Sequence, residues 1–172
     1  MKTIDKYLFQ ALDNYPYSLE ETIESLDYAL SYDEKNTMAL CLYGQILSDH
    51  LFKYDEAKEY FQQAILININ AIEIYPSYIH TLIMNEDHEE AVRLIDFALT
   101  IKGINKVEIL LKKVMFLESQ MEFKKALKIV KQARLQTLNS FYDYEIEETE
   151  KRLNKKINKG SKKEKPIKKK KK

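Results

Sequence analysis

Four triplets of side chains recur along this chain with the same internal spacing and almost the same separation. Thr22, Leu26 and Ala29 form the first, Ala57, Phe61 and Ala64 the second, Ala91, Ile95 and Ala98 the third, and Ala126, Val130 and Ala133 the fourth. Within each triplet the steps are four and then three, and successive triplets begin 35, 34 and 35 residues on. A 4-then-3 spacing brings three side chains to one face of an α-helix. Two of the three are usually small, so a second helix can approach that face closely. Self-similarity at such a period is the signature of a helical array in which each unit buries its apolar face against the next.

Other positions keep the same period. Leu19, Tyr54, His88 and Phe123 recur at 35, 34 and 35 residues, and Asn36, Asn70, Asn105 and Asn139 at 34, 35 and 34. Asn is a strong N-cap, so each Asn is predicted to open the first helix of a unit. Ser18 with Glu21 reads as a capping box for the second helix of the first unit, and Asp87 as the residue before the corresponding helix of the third. Pro16 falls between two helices, and Pro76 in the first turn of a helix, where its missing amide proton costs little. Only three Gly and three Pro occur in 172 residues. An all-β fold would need more turn residues than that.

The pattern resembles the tetratricopeptide repeat family over roughly residues 3–139. The second unit is the closest match, through Leu40, Gly44, Tyr54, Asp55, Glu56, Ala57, Phe61 and Ala64. It departs by one extra residue in the turn near His50 to Tyr54. No unit has the family's tryptophan or its late proline, and the first has Thr22 in place of alanine. The resemblance implies an all-α, right-handed helical-repeat solenoid of about four helix pairs, with units at 3–36, 37–70, 71–105 and 106–139. Residues 140–159 are expected to form an amphipathic capping helix, with Tyr142, Ile146, Thr149, Leu153 and Ile157 on one side. Residues 160–172 are almost free of apolar side chains and are expected to be a disordered, Lys-rich tail.

In that family the first helix of each pair lines the concave surface. Carried over, the groove consists of Tyr7, Ala11 and Asn14, then Cys41, Gln45, Ser48 and Asp49, then His80, Ile83 and Met84, then Leu111, Met115 and Glu118. No Lys or Arg stands among them, so the carboxylate clamp some family members use for a partner's C-terminus is not expected. Apolar and acidic side chains suit an apolar or basic partner segment instead, such as an amphipathic helix. The competing reading is that some of these residues only pack between units.

Signals for catalysis are weak, and the chain is not expected to be an enzyme. His50 lies in the lengthened turn. His88 takes a repeat position held elsewhere by Leu, Tyr and Phe, which favours packing. His80 has no carboxylate at helical spacing to orient it. Cys41 has no adjacent base, and one Cys with scattered His does not make a zinc site. Gly44, Gly103 and Gly160 are too far apart to cradle a phosphate. No cofactor and no metal is expected.

The formal net charge of +1 hides a division. Residues 151–172 hold 13 basic side chains and one acid, against 15 bases and 26 acids in the rest. Lys162, Lys163, Lys165, Lys168, Lys169, Lys170, Lys171 and Lys172 form the basic run. Such a run can contact phosphates of nucleic acid, ribosome or an anionic membrane. It can equally fold back on the chain's own acidic residues, or reflect a Lys-rich composition without a role. There is no secretory signal pattern and no run of 18 apolar residues, so a cytoplasmic protein without a transmembrane segment is expected.

Overall fold

The computed structural model describes residues 5–163, with side chains to residue 159. The described residues fold into α-helices without strands: α1 Lys6–Asn14, α2 Leu19–Tyr32, α3 Thr37–Asp49, α4 Tyr54–Ile67, α5 Ile74–Met84, α6 His88–Ala98, α7 Lys106–Ser119, α8 Phe123–Gln136 and α9 Asp143–Lys163. A short 3-10 turn, Ser140–Tyr142, leads into α9. No helix among these residues is long and apolar enough to cross a membrane. The chain divides after Ile104 into two compact units. The first holds the pairs α1/α2, α3/α4 and α5/α6. The second holds the pair α7/α8 followed by α9.

The repeating triplets form the centre of each unit. All twelve side chains are exposed by 1 % or less. They lie on the second helix of each pair, on the face turned to its neighbours. In the first unit Ile46, Ile74, Tyr75, Ile79 and Leu82 complete the interior, and in the second Ile109 and Val114. The stripe expected on α9 is buried at Ile146, Thr149 and Leu153. The helix packs on α8, where Arg134 bonds Glu150 at 2.7 Å and the Lys156 ammonium stands 5.4 Å from the centre of the Phe123 ring. It runs to Lys163, four residues past the boundary read from composition.

Three of the four periodic asparagines cap as expected. Asn36 Oδ1 accepts from the Ala39 amide at 3.0 Å and Asn105 Oδ1 from the Glu108 amide at 3.3 Å. Asn139 Oδ1 accepts from the Phe141 amide at 3.0 Å, at the start of the 3-10 turn. Asn70 does not cap, because α5 begins four residues later. The Tyr75 hydroxyl closes that turn instead, donating to the Ile69 carbonyl at 2.5 Å. Pro76 is the third residue of α5 and lies in its first turn, as read from the sequence.

The expected capping box does not form. Ser18 makes no side-chain bond to its helix, and Thr22 Oγ1 donates to the Ser18 carbonyl at 2.7 Å. Asp87 likewise makes no side-chain bond to α6. Its carboxylate accepts from Lys58 Nζ at 2.6 Å and Asn85 Nδ2 at 2.8 Å. A charge-assisted bond outcompetes a neutral cap amide. Burial partly opposes the effect of Lys58, which still leaves the Asp87 carboxyl below its ordinary range.

Turns within the last three pairs share one backbone device. Phe52, Glu86 and Met121 have φ of 54°, 61° and 58°. After two of them the next amide reaches back five residues, Asp87 to the Leu82 carbonyl and Glu122 to the Leu117 carbonyl, at 2.9 and 2.8 Å. This is the left-handed helix ending that satisfies the last carbonyls. After Phe52 the amide of Lys53 reaches back six residues, to Leu47, at 2.8 Å. The extra residue near His50 is absorbed there.

Candidate functional site

In the first unit, the neighbouring first helices α3 and α5 meet along a polar seam. The Cys41 thiol lies 3.8 Å from the Glu73 carbonyl. Gln45 Nε2 donates to Ser77 Oγ at 2.7 Å, and Thr81 Oγ1 to Ser48 Oγ at 2.9 Å. Asp49 Oδ1 stands 3.8 Å from His80 Nε2. Positions 41, 45 and 48 share one face of α3, and 77, 80, 81 and 84 share one face of α5. The seam therefore carries Gln45, Asp49, His80 and Met84 along a single flank. Asp49 and Met84 are open to solvent, while Gln45 and His80 are half-buried.

The other candidates of this unit fall differently. The Tyr7 ring stacks on Tyr28 of α2, with centroids 5.2 Å apart. Asn14 ends α1, and its carbonyl accepts from the amides of Tyr17 and Ser18. Ile83 is buried, so it packs in the interior and does not line an open surface. Two residues outside the groove carried over from the family join the end of the seam. The Tyr15 hydroxyl lies 3.3 Å from His50 Nε2, and burial, then the charge of Asp49, pushes the Tyr15 phenol up. Tyr15 and His50 stand one repeat apart, a signal the period contained. The carboxylate beside His80 comes from another helix, 31 residues earlier, where helical spacing does not look.

In the second unit Met115 and Glu118 line a cleft of about 410 Å³ between α7 and α9. Glu108, Leu111, Lys112 and Val114 complete the α7 side. Phe141, Tyr142, Glu145, Thr149 and Arg152 form the other. Glu118 is held by the chain itself. Arg152 donates to its two oxygens through Nε and an Nη at 2.9 and 3.0 Å, and Lys156 Nζ through a third bond at 2.7 Å. The Arg152 guanidinium above all, then Lys156, keeps the Glu118 carboxyl below its ordinary range despite its burial. Glu108, Lys112, Glu145 and Arg152 had no signal in the sequence as site residues, since the capping helix brings half of them.

Two solved structures superpose on nearly the whole chain. The type IV pilus biogenesis factor PilW matches at a TM-score of 0.74 with 16 % identity, over 88 % of this chain and 69 % of that one. The protein MamA matches at 0.64 with 16 % identity, over 94 % and 95 %. Both are tetratricopeptide-repeat proteins. The chain has the tetratricopeptide-repeat fold. No family model and no curated protein matches its sequence, so the likeness lies in the helix pairs and their packing.

Within this repeat fold, Cys41 is an interior residue of the second pair. Burial, then the nearby Glu73, pushes its thiol up to about 12. It stays protonated at neutral pH and is no nucleophile as it stands. Lys162 and Lys163 belong to the end of α9. Lys165 and Lys168 to Lys172 lie outside the described residues.

Proposed function

We propose that this protein is a non-catalytic interaction scaffold that takes an apolar or basic segment of a partner protein along the flank of α3 and α5. The observation that supports it is the seam itself. Side-chain bonds hold these two first helices in register, so the flank is preformed, and binding would not have to order it first. Asp49 supplies negative charge and Met84 an apolar surface on the same flank, and no Lys or Arg stands among the seam residues. A partner helix with a cationic and an apolar side would meet both.

The test is a selection from a random peptide library displayed on phage, run against the protein and counter-selected against an Asp49→Lys, Met84→Glu variant. Sequences joining Lys or Arg to Leu, Ile or Phe are expected, with affinity at least about tenfold lower for the variant, which corresponds to about 1.4 kcal/mol. Recovery of no peptide that distinguishes the two proteins would end this reading.

A further inference from the structure

The space between α3 and α5 is closed, and that between α7 and α9 is open. Between α3 and α5, Gln45–Ser77 and Ser48–Thr81 close it with direct bonds. Between α7 and α9 the bonds stand at the two ends. Asn105 Nδ2 donates to the Tyr142 hydroxyl at 2.5 Å at one end, and Glu118 holds Arg152 and Lys156 at the other. The cleft of about 410 Å³ lies between these ties, within the range of ligand sites.

Its lining is mixed in a particular way. Leu111, Val114 and Met115 give an apolar floor, and Glu108, Glu145 and Lys112 stand around it. Glu118 holds both Arg152 and Lys156 at one end of the cleft. At the Glu108 end two carboxylates, Glu108 and Glu145, stand against the one ammonium of Lys112. Burial is the main cause that holds the Glu108 carboxyl above its ordinary range. Lys112 opposes this and Glu145 adds to it. An anion entering at the Glu108 end would meet like charge. A wholly apolar ligand would desolvate Glu108 and Glu145 without compensating them. A cation on an aliphatic stem satisfies both parts, covering the floor with its methylenes and meeting the carboxylates with its head.

We propose that the cleft between α7 and α9 is a binding site for a lysine or arginine side chain presented by a partner's peptide segment. The site is separate from the α3/α5 flank, and its failure would leave the reading of that flank standing.

The probe is an acetylated, amidated pentapeptide Leu-Lys-Leu-Lys-Leu, compared with its counterpart carrying Glu in place of Lys. Binding is followed by NMR on the full chain with labelled methionine methyl groups. The lysine peptide is expected to shift the Met115 methyl signal with saturation, and the glutamate peptide to leave it unmoved. A Glu108→Gln, Glu145→Gln variant is expected to bind at least about tenfold more weakly, and Lys112→Glu several-fold more tightly. Equal shifts from both peptides would overturn the proposal, as would affinities unchanged in these variants. Deleting residues 164–172 is expected to leave the peptide-free Met115 signal in place. A shift there, with tighter peptide binding, would assign the cleft to the chain's own lysines and overturn the partner as its source.

Discussion

A β-carbon built on Gly44 would stand 2.9 Å from the Phe61 ring. The two residues belong to the helices of one pair, and Phe61 is fully buried with its ring stacked on Tyr78 at 5.4 Å. The ring is closed off from solvent on one side and stacked on Tyr78 on another. A methyl group at residue 44 therefore forces α3 and α4 apart or displaces the stack, at a cost of about 1–3 kcal/mol. Alanine regains about 1 kcal/mol through its helix propensity. Gly44→Ala is expected to lower stability by about 1 kcal/mol in urea unfolding. In a Phe61→Leu background, which removes the clashing ring edge, the same substitution is expected to become neutral or stabilising.

The left-handed residues predict the opposite sign for glycine. A side chain at positive φ costs roughly 1–2 kcal/mol, of which the greater unfolded-state freedom of glycine takes back about half. Met121 is largely exposed, so little packing is lost with it. Met121→Gly and Glu86→Gly are each expected to raise stability by about 0.5–1 kcal/mol in thermal or urea unfolding, where glycine in a helix interior would lower it.

Glu118 gives the second unit a pH dependence. Its carboxyl lies below the unfolded value when folded, so it binds a proton less readily in the native state. The stability it contributes is complete above the ordinary glutamate pKa of about 4.3 and is lost as pH falls through the depressed folded value. Arg152 is half exposed, which reduces the contribution to about 1 kcal/mol. Glu118→Gln is expected to destabilise α9 by that amount at neutral pH, read from amide hydrogen exchange of the helix. The difference from the parent chain should close once the pH drops below the carboxylate range.

Burial separates two leucines near the end of the chain. Leu153 is fully buried on α9, whereas Leu138, in the turn before it, is fully exposed. Leu153→Ala removes core volume and is expected to cost about 2–4 kcal/mol. Leu138→Ala is expected to change stability by less than about 0.5 kcal/mol. Unfolding of the two variants in urea checks both.

The triplets were legible because helix periodicity and repeat period are both properties of residue spacing. Their spacing alone places Thr22, Ala57, Ala91 and Ala126 on buried faces, and the second helices of the pairs follow from them. Asn36, Asn105 and Asn139 could be read as caps because a cap bond spans only two or three residues. Local reasoning failed where another side chain took the role. Lys58 took the Asp87 carboxylate, and the Tyr75 hydroxyl closed the turn expected of Asn70. Left-handed Phe52, Glu86 and Met121 carry no turn residue that would announce them.

The residue pattern by itself therefore determined an all-helical repeat fold and its buried small positions. Only the tertiary structure decided which first-helix side chains join each other. It set Asp49 beside His80, closed Gln45 onto Ser77, bound Glu118 to Arg152 and left an open cleft beside Met115. The physical reason is range. Helix formation and apolar burial depend on neighbours a few residues away, while side-chain pairs across helices depend on the packing distances and rotations of elements more than thirty residues apart.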